Sequence, residues 1–241
     1  MNKKIAIVTN GGGMNCSYSA GVLNALATEY NFTDPDILVG SSGSSGSLAY
    51  YISRQYSSMR TIWTNLLTSK KFISLGRLTS ILNVDYLIDE VFKKQEPLAV
   101  DEINNSKTKL FIATTAYLSG ETIFFSNDST ADVFEYLRAS KAIPMAYNKK
   151  VNINGVDYVD GSLSALMSTG VEKAISEGAT DIIVIKDGIG ISLVTKLCWK
   201  VYSIFVNKNL SASIKKYLTQ KDVSLIKYAG INIITISPSK K

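Results

Sequence analysis

No histidine occurs anywhere in the 241 residues. Imidazole is the usual base for a serine or cysteine nucleophile, so an ordinary Ser-His-Asp or Cys-His arrangement is excluded. Cysteine is nearly as scarce, with only Cys16 and Cys198. Two such residues make no disulfide framework, and without histidine or a cysteine cluster they offer no zinc site. A reducing, cytoplasmic setting is the expectation. Long apolar runs are missing too. No segment approaches the roughly 18 uncharged apolar residues of a membrane span. The first ten residues carry only the short run Ile5 to Val8, well below the roughly 7–15 of a secretory leader.

What is present is the composition of a globular protein, 46% hydrophobic and 19% charged, and long enough for one substantial core. The net charge of +6 is uneven. From Lys196 to Lys241 nine lysines face one acid, Asp222, while acids slightly exceed bases elsewhere. Such a section can meet anionic lipid or nucleic acid, although a solvated lysine-rich surface is the simpler reading. Residues 189–206 form an apolar stretch with Lys196 and Lys200 four apart and Trp199 and Tyr202 near its middle. It suits a helix packed on the body, or a surface that docks on a membrane or a second copy.

Along the chain, short apolar runs alternate with helical patterns. Ile5–Val8, Ile37–Val39 and Asp181–Ile185 read as buried strands, with a last strand at Ile231–Ile236. Tyr18–Tyr30, about Ser45–Gln55, Val133–Ser140 and Val171–Glu177 read as helices, the last closed by Gly178. Leu110–Thr115 and Thr122–Phe125 flank Ser119-Gly120, and Val151–Val159 turns at Asn154-Gly155, the strongest hairpin signal here. The pattern predicts an α/β domain with a mainly parallel sheet covered on both faces. No linker or repeat divides residues 1–241, and residues 60–100 are the least regular part, a candidate helical cap.

Three local features carry chemistry. Gly11-Gly12-Gly13 joins the first strand to the first helix, where exposed amides can hold a phosphate or a developing oxyanion. The dinucleotide pattern is incomplete, because its last glycine position is Cys16. Ser42 stands where the second strand meets a helix, in Gly40-Ser41-Ser42-Gly43-Ser44, the placement of a nucleophile elbow. Ser45 is a rival, but it lies further along the helix. Asp160 ends a strand before Gly161; Asp-Gly is also a common turn.

The order of these elements resembles the patatin-like phospholipase family. Supporting segments are Met14, Tyr18-Ser19-Ala20-Gly21, Arg138-Ala139-Ser140-Lys141-Ala142-Ile143-Pro144, Tyr158-Val159-Asp160-Gly161 and Ile234-Thr235-Ile236-Ser237-Pro238. The resemblance implies a three-layer α/β/α fold and lipid acyl hydrolysis by a Ser42–Asp160 dyad, with no metal or other cofactor. It implies oxyanion donors on Gly11, Gly12, Gly13 and Met14, to which the Gly43 amide is added, with Gly40, Ser44 and Gly161 as motif positions. Phospholipid or another acyl-ester lipid is the expected partner, with peripheral membrane contact through residues 189–206 and the terminal lysines, and no nucleic acid. The chain departs from the family pattern at Asn15, which replaces a basic residue, and at Cys16, which replaces a glycine. Ser44 and Ser162 also depart. Cys16 is the departure expected to strain the loop if that backbone needs a positive φ. The competing classes are a non-catalytic lipid-binding descendant and a nucleotide- or phosphate-binding module.

Overall fold

Alternating strands and helices fold as an α/β domain in the computed structural model, which describes residues 3–77, 80–128, 132–188, 193–219 and 228–239. Among the described residues eight strands form one sheet: β1 (Ile5–Thr9), β2 (Ile37–Ser41), β3 (Lys109–Ala116), β4 (Thr122–Ser126), β5 (Val151–Ile153), β6 (Val156–Asp160), β7 (Asp181–Ile185) and β8 (Asn232–Ile236). The order is β5-β6-β3-β2-β1-β7-β8, with β4 also paired to β3. Strands β3, β2, β1, β7 and β8 run parallel, whereas β4, β5 and β6 are antiparallel additions.

Successive strand residues point to opposite faces, and both faces are covered. Ile7, Leu38, Leu110 and Ile112 pack in one core with Leu23 of α1 (Ser17–Thr28), Leu48 of α2 (Ser42–Ile52) and Leu137. Their sequence neighbours Ala6, Val8, Ile37, Val39 and Phe111 pack on the other face with Met167 and Val171. That second layer rests on a helix from Met167 to Ser176, closed by Gly178 at φ +92. The hairpin at Asn154-Gly155 has both residues at positive φ, 51 and 83, as its turn type requires. The three-layer expectation therefore holds.

In chain order the remaining helices are α3 (Tyr56–Thr61), α4 (Val100–Asn104), α5 (Val133–Ser140) and α6 (Pro144–Tyr147). Then come α7, the Met167–Ser176 helix, α8 (Leu193–Phe205) and α9 (Lys208–Leu218). Two helix starts differ most from the sequence reading. Helix α2 begins at Ser42, not Ser45, because the Ser44 and Ser45 hydroxyls donate back to the carbonyls of Ser41 and Ser42. These bonds stabilise a serine-glycine turn that propensity alone reads as loop. Helix α7 starts four residues before Val171, with Gly170 lying against Val8 of β1.

Between α3 and α4 the backbone takes wide π-type turns at Ile62–Leu66 and Tyr86–Gln95. With Met59 of α3, this segment buries Ile62, Leu67, Phe72, Val84 and Phe92 over the α2 side of the sheet.

Only part of the 189–206 stretch falls within the described residues, and in it Trp199 and Tyr202 do not form the exposed face. Trp199 is buried with Leu210 and Ile214 of α9 and Val159 and Leu163 of the body, and its ring meets Tyr202 edge-on at 5.9 Å. The exposed apolar residues are Leu193, Leu197, Val201, Ile204 and Phe205. At about 100° per residue they share one stripe opposite Trp199. No helix among the described residues is long and apolar enough to cross a membrane.

Candidate active site

Strand pairing brings two chain ends together. Strand β2 runs parallel to β3 and stops at Ser41 opposite Ala113. Strand β6 runs antiparallel to β3 and stops at Asp160 opposite Thr114, the next residue. The two strands therefore meet head to head along one edge of β3. Ser42 and Asp160, 118 residues apart in sequence, become neighbours for that reason.

Ser42 enters α2 at φ +52, a left-handed conformation that costs a residue with a β-carbon of order 1–3 kcal/mol. Its hydroxyl donates to Asp160 Oδ2 at 2.7 Å, and its amide donates to Ser140 Oγ at 2.9 Å. Ser140 in turn donates to the Ala113 carbonyl at 2.7 Å. The turn is thus tied to β3 and to the end of α5.

Asp160 is fully buried, 0% exposed. Its second oxygen, Oδ1, accepts from the Ser162 amide at 2.9 Å and the Ser162 hydroxyl at 2.5 Å. Burial pushes the Asp160 carboxyl above its usual range, while the Ser162 and Ser42 hydrogen bonds and the Lys141 cation pull it back. A desolvated carboxylate is a stronger base than one in water, and hydrogen bonds on both oxygens offset part of that gain. Gly161 permits the tight exit from β6, since a β-carbon there would stand 2.0 Å from the Ala113 carbonyl oxygen.

The glycine loop lies over this pair. A β-carbon on Gly11 would stand 2.6 Å from Ser42 Cβ and 2.8 Å from Ser162 Cβ, so only glycine fits. Gly12 backs onto Asp187, and Gly13 begins a short 3-10 turn through Cys16. Gly43 sits against Cys16 and the Gly13 carbonyl, which joins loop to elbow. Met14 lines the cavity beside Ser42. Gly40 lies in β2 under Thr9 and Leu48. Ser44 is fully buried and donates to the Asn10 carbonyl at 2.5 Å, so its extra hydroxyl is absorbed by the loop.

Cys16 does not strain the loop. Its φ is −64, ordinary right-handed backbone, so a residue other than glycine is accommodated without positive φ. Burial, followed by the charge of Asp187, pushes its thiol well above the usual range, while the amides of Gly12 and Ser44 offset part of this. Asn15 stands near Gly12 and Gly188.

An apolar cavity of about 90 Å³ opens beside Ser42. Its walls include Met14, Tyr50, Met59, Trp63, Phe72, Leu87 and Phe92, largely from the 56–98 segment. Sequence reasoning assigned no role to three polar residues here. Ser140 orients the Ser42 amide, Lys141 lines the cavity, and Asp187 lies behind the glycine loop. Asp187 is buried, accepts from the Ser19 amide at 3.1 Å, and its Oδ2 has no hydrogen-bond partner among the described residues. The available signal was Asp187-Gly188, a second Asp-Gly pair shortly after a strand.

A family model described as patatin-like phospholipase matches residues 7–169. A curated relative, the uncharacterized protein YjjU of Escherichia coli (strain K12), is 26% identical over 198 residues, covering 76% of this chain and 52% of that protein. The chain thus spans about half the length of that relative. Among solved structures, VipD from Legionella pneumophila matches with a TM-score of 0.55 at 12% identity, covering 98% of this chain and 61% of that one. The likeness to VipD concerns the fold alone.

Proposed function

Because the chain belongs to the patatin-like phospholipase family, we propose that it is a serine lipid acyl hydrolase, of phospholipase A or lysophospholipase type, working through Ser42 and Asp160. The observation that carries this reading is the 2.7 Å hydrogen bond from Ser42 Oγ to a buried carboxylate, at an elbow held in left-handed backbone. Asp160 accepts the hydroxyl proton as Ser42 Oγ bonds to the ester carbonyl carbon. The carbonyl electron pair moves onto oxygen, facing the amides of the glycine loop and Gly43. One such donor is typically worth about 2.7–4 kcal/mol in the transition state. The Gly12 amide also faces Cys16, which leaves Gly13, Met14 and Gly43 best suited to the oxyanion. The tetrahedral species collapses with the proton passing from Asp160 to the departing alcohol. Water, deprotonated by Asp160, then releases the acid from acyl-Ser42.

The apolar cavity beside Ser42 suits an acyl chain, and residues 60–100, the candidate cap, supply Trp63, Phe72, Leu87 and Phe92 to its wall. The exposed α8 stripe, flanked by Lys196 and Lys200, suits peripheral contact with an anionic membrane, which flotation with anionic liposomes tests. The phosphate-binding alternative fares less well, since Gly11 is pressed against Ser42 and Ser162. Hydrolysis of a lysophospholipid or a p-nitrophenyl acyl ester tests the proposal. Ser42→Ala and Asp160→Asn both abolish turnover if it is right, and undiminished hydrolysis by both variants refutes it.

A further inference from the structure

A second charged group sits in the cavity that holds Ser42, and the dyad does not use it. Lys141 follows α5 and is only 6% exposed, yet it lines the cavity with Tyr50, Trp63, Leu87 and Phe92. Its ammonium donates to Ser45 Oγ at 2.7 Å and lies 6.0 Å from the Phe92 ring centre. Gly46 borders its stem, since a β-carbon there would stand 3.4 Å from Lys141 Cε and 3.1 Å from Phe92 Cζ. An ammonium carries three protons. Among the described residues no carboxylate reaches ion-pairing distance, 4.0 Å, of it.

Buried cations are ordinarily paired, because an isolated one is costly to desolvate. Here desolvation pushes the Lys141 pKa down to about 7, with Asp160 and Cys16 opposing that shift. Asp160 already has both oxygens engaged by Ser42 and Ser162. An acidic group entering the cavity would supply the missing partner.

We propose that Lys141 is a polar subsite within the acyl cavity, one that binds a carboxylate carried on the substrate's acyl chain. The favoured substrates are then esters of dicarboxylic acids rather than of plain fatty acids of equal length. The catalytic consequence rests on the hydrolase reading, whereas the binding site itself does not.

Two p-nitrophenyl esters of equal chain length, the octanoate and the hemisuberate, separate the possibilities. Lys141→Met is expected to lower kcat/KM for the hemisuberate relative to the octanoate by about 10–100-fold, as for a lost hydrogen bond to a charged group. A ratio unaltered by the substitution overturns the subsite. Lys141→Gln, which keeps polarity without charge, repeats the comparison if the Met variant does not fold.

Binding is read separately in Ser42→Ala protein, where monomethyl suberate raises the melting temperature and methyl octanoate does so less. The difference disappears in Ser42→Ala/Lys141→Met. If wild type turns over neither ester while this residue-dependent shift persists, the hydrolase reading fails and the subsite stands. If turnover proceeds but neither ratio nor shift depends on residue 141, the subsite fails and the hydrolase reading stands.

Discussion

Two Asp-Gly pairs follow strands of the same sheet, and their surroundings give them different chemistry. Asp160 ends β6 with both carboxylate oxygens satisfied, one by Ser42 and the other twice by Ser162. Asp187 follows β7 with one oxygen on the Ser19 amide and the other without a partner among the described residues. Burial raises both carboxyls. Only Asp160 faces a hydroxyl held at an elbow, and only Asp160 has donors on both of its oxygens. Burial alone therefore does not make a base; the donors and the nucleophile beside it do.

Exchanging each aspartate for asparagine sharpens this contrast most. Asp160→Asn should lower ester kcat by about 10³–10⁴, the size seen when a catalytic carboxylate is neutralised, whereas Asp187→Asn should stay within a few-fold of wild type. Comparable losses from both would break the comparison.

The next effect is on stability. Burial carries the Asp187 carboxyl from 3.8 up to about 6. A carboxyl raised on folding favours the protonated folded state. Its contribution is full below about pH 4 and disappears as pH rises through about 6. Two pH units correspond to about 3 kcal/mol. Asp187→Asn should accordingly be more stable than wild type at pH 8 by up to that amount. It should also flatten the stability profile between about pH 4 and 6 in urea titrations. A variant profile as steep as that of wild type across that window would show that Asp187 does not titrate there.

Smaller still is the effect of Ser162→Ala. Losing a donor to the Asp160 anion raises the carboxyl pKa further. The acid limb of the kcat/KM profile should move up in pH, with lower activity on the limb and near-normal activity above it. A downward movement would mean that Ser162 does not stabilise the anion.

Much of this architecture is legible locally. Ile5–Val8, Ile37–Val39 and Asp181–Ile185 are apolar on both faces because the parallel strands are covered on both sides, and Asn154-Gly155 encodes its own turn. The α2 start was hidden because the Ser44 and Ser45 hydroxyls, not helix propensity, complete that turn. The meeting of β2 and β6 on one edge of β3 is a long-range register that neither strand announces. Lys141 was illegible for a different reason. A lysine beside a helix end ordinarily reads as surface charge, and its burial depends on Phe92 and Gly46 from distant elements. Trp199 lies in a stretch that suits a packed helix or a docking surface, and its partners on α9 and β6 bury it.

Site-mapped labelling by a fluorophosphonate tests the Ser42–Asp160 pairing most directly. The dyad predicts a single adduct on Ser42, formed faster as pH rises and Asp160 ionises, and formed at least about a thousandfold more slowly in Asp160→Asn. An adduct on Ser45, or Ser42 labelling at the same rate in wild type and Asp160→Asn, would contradict it.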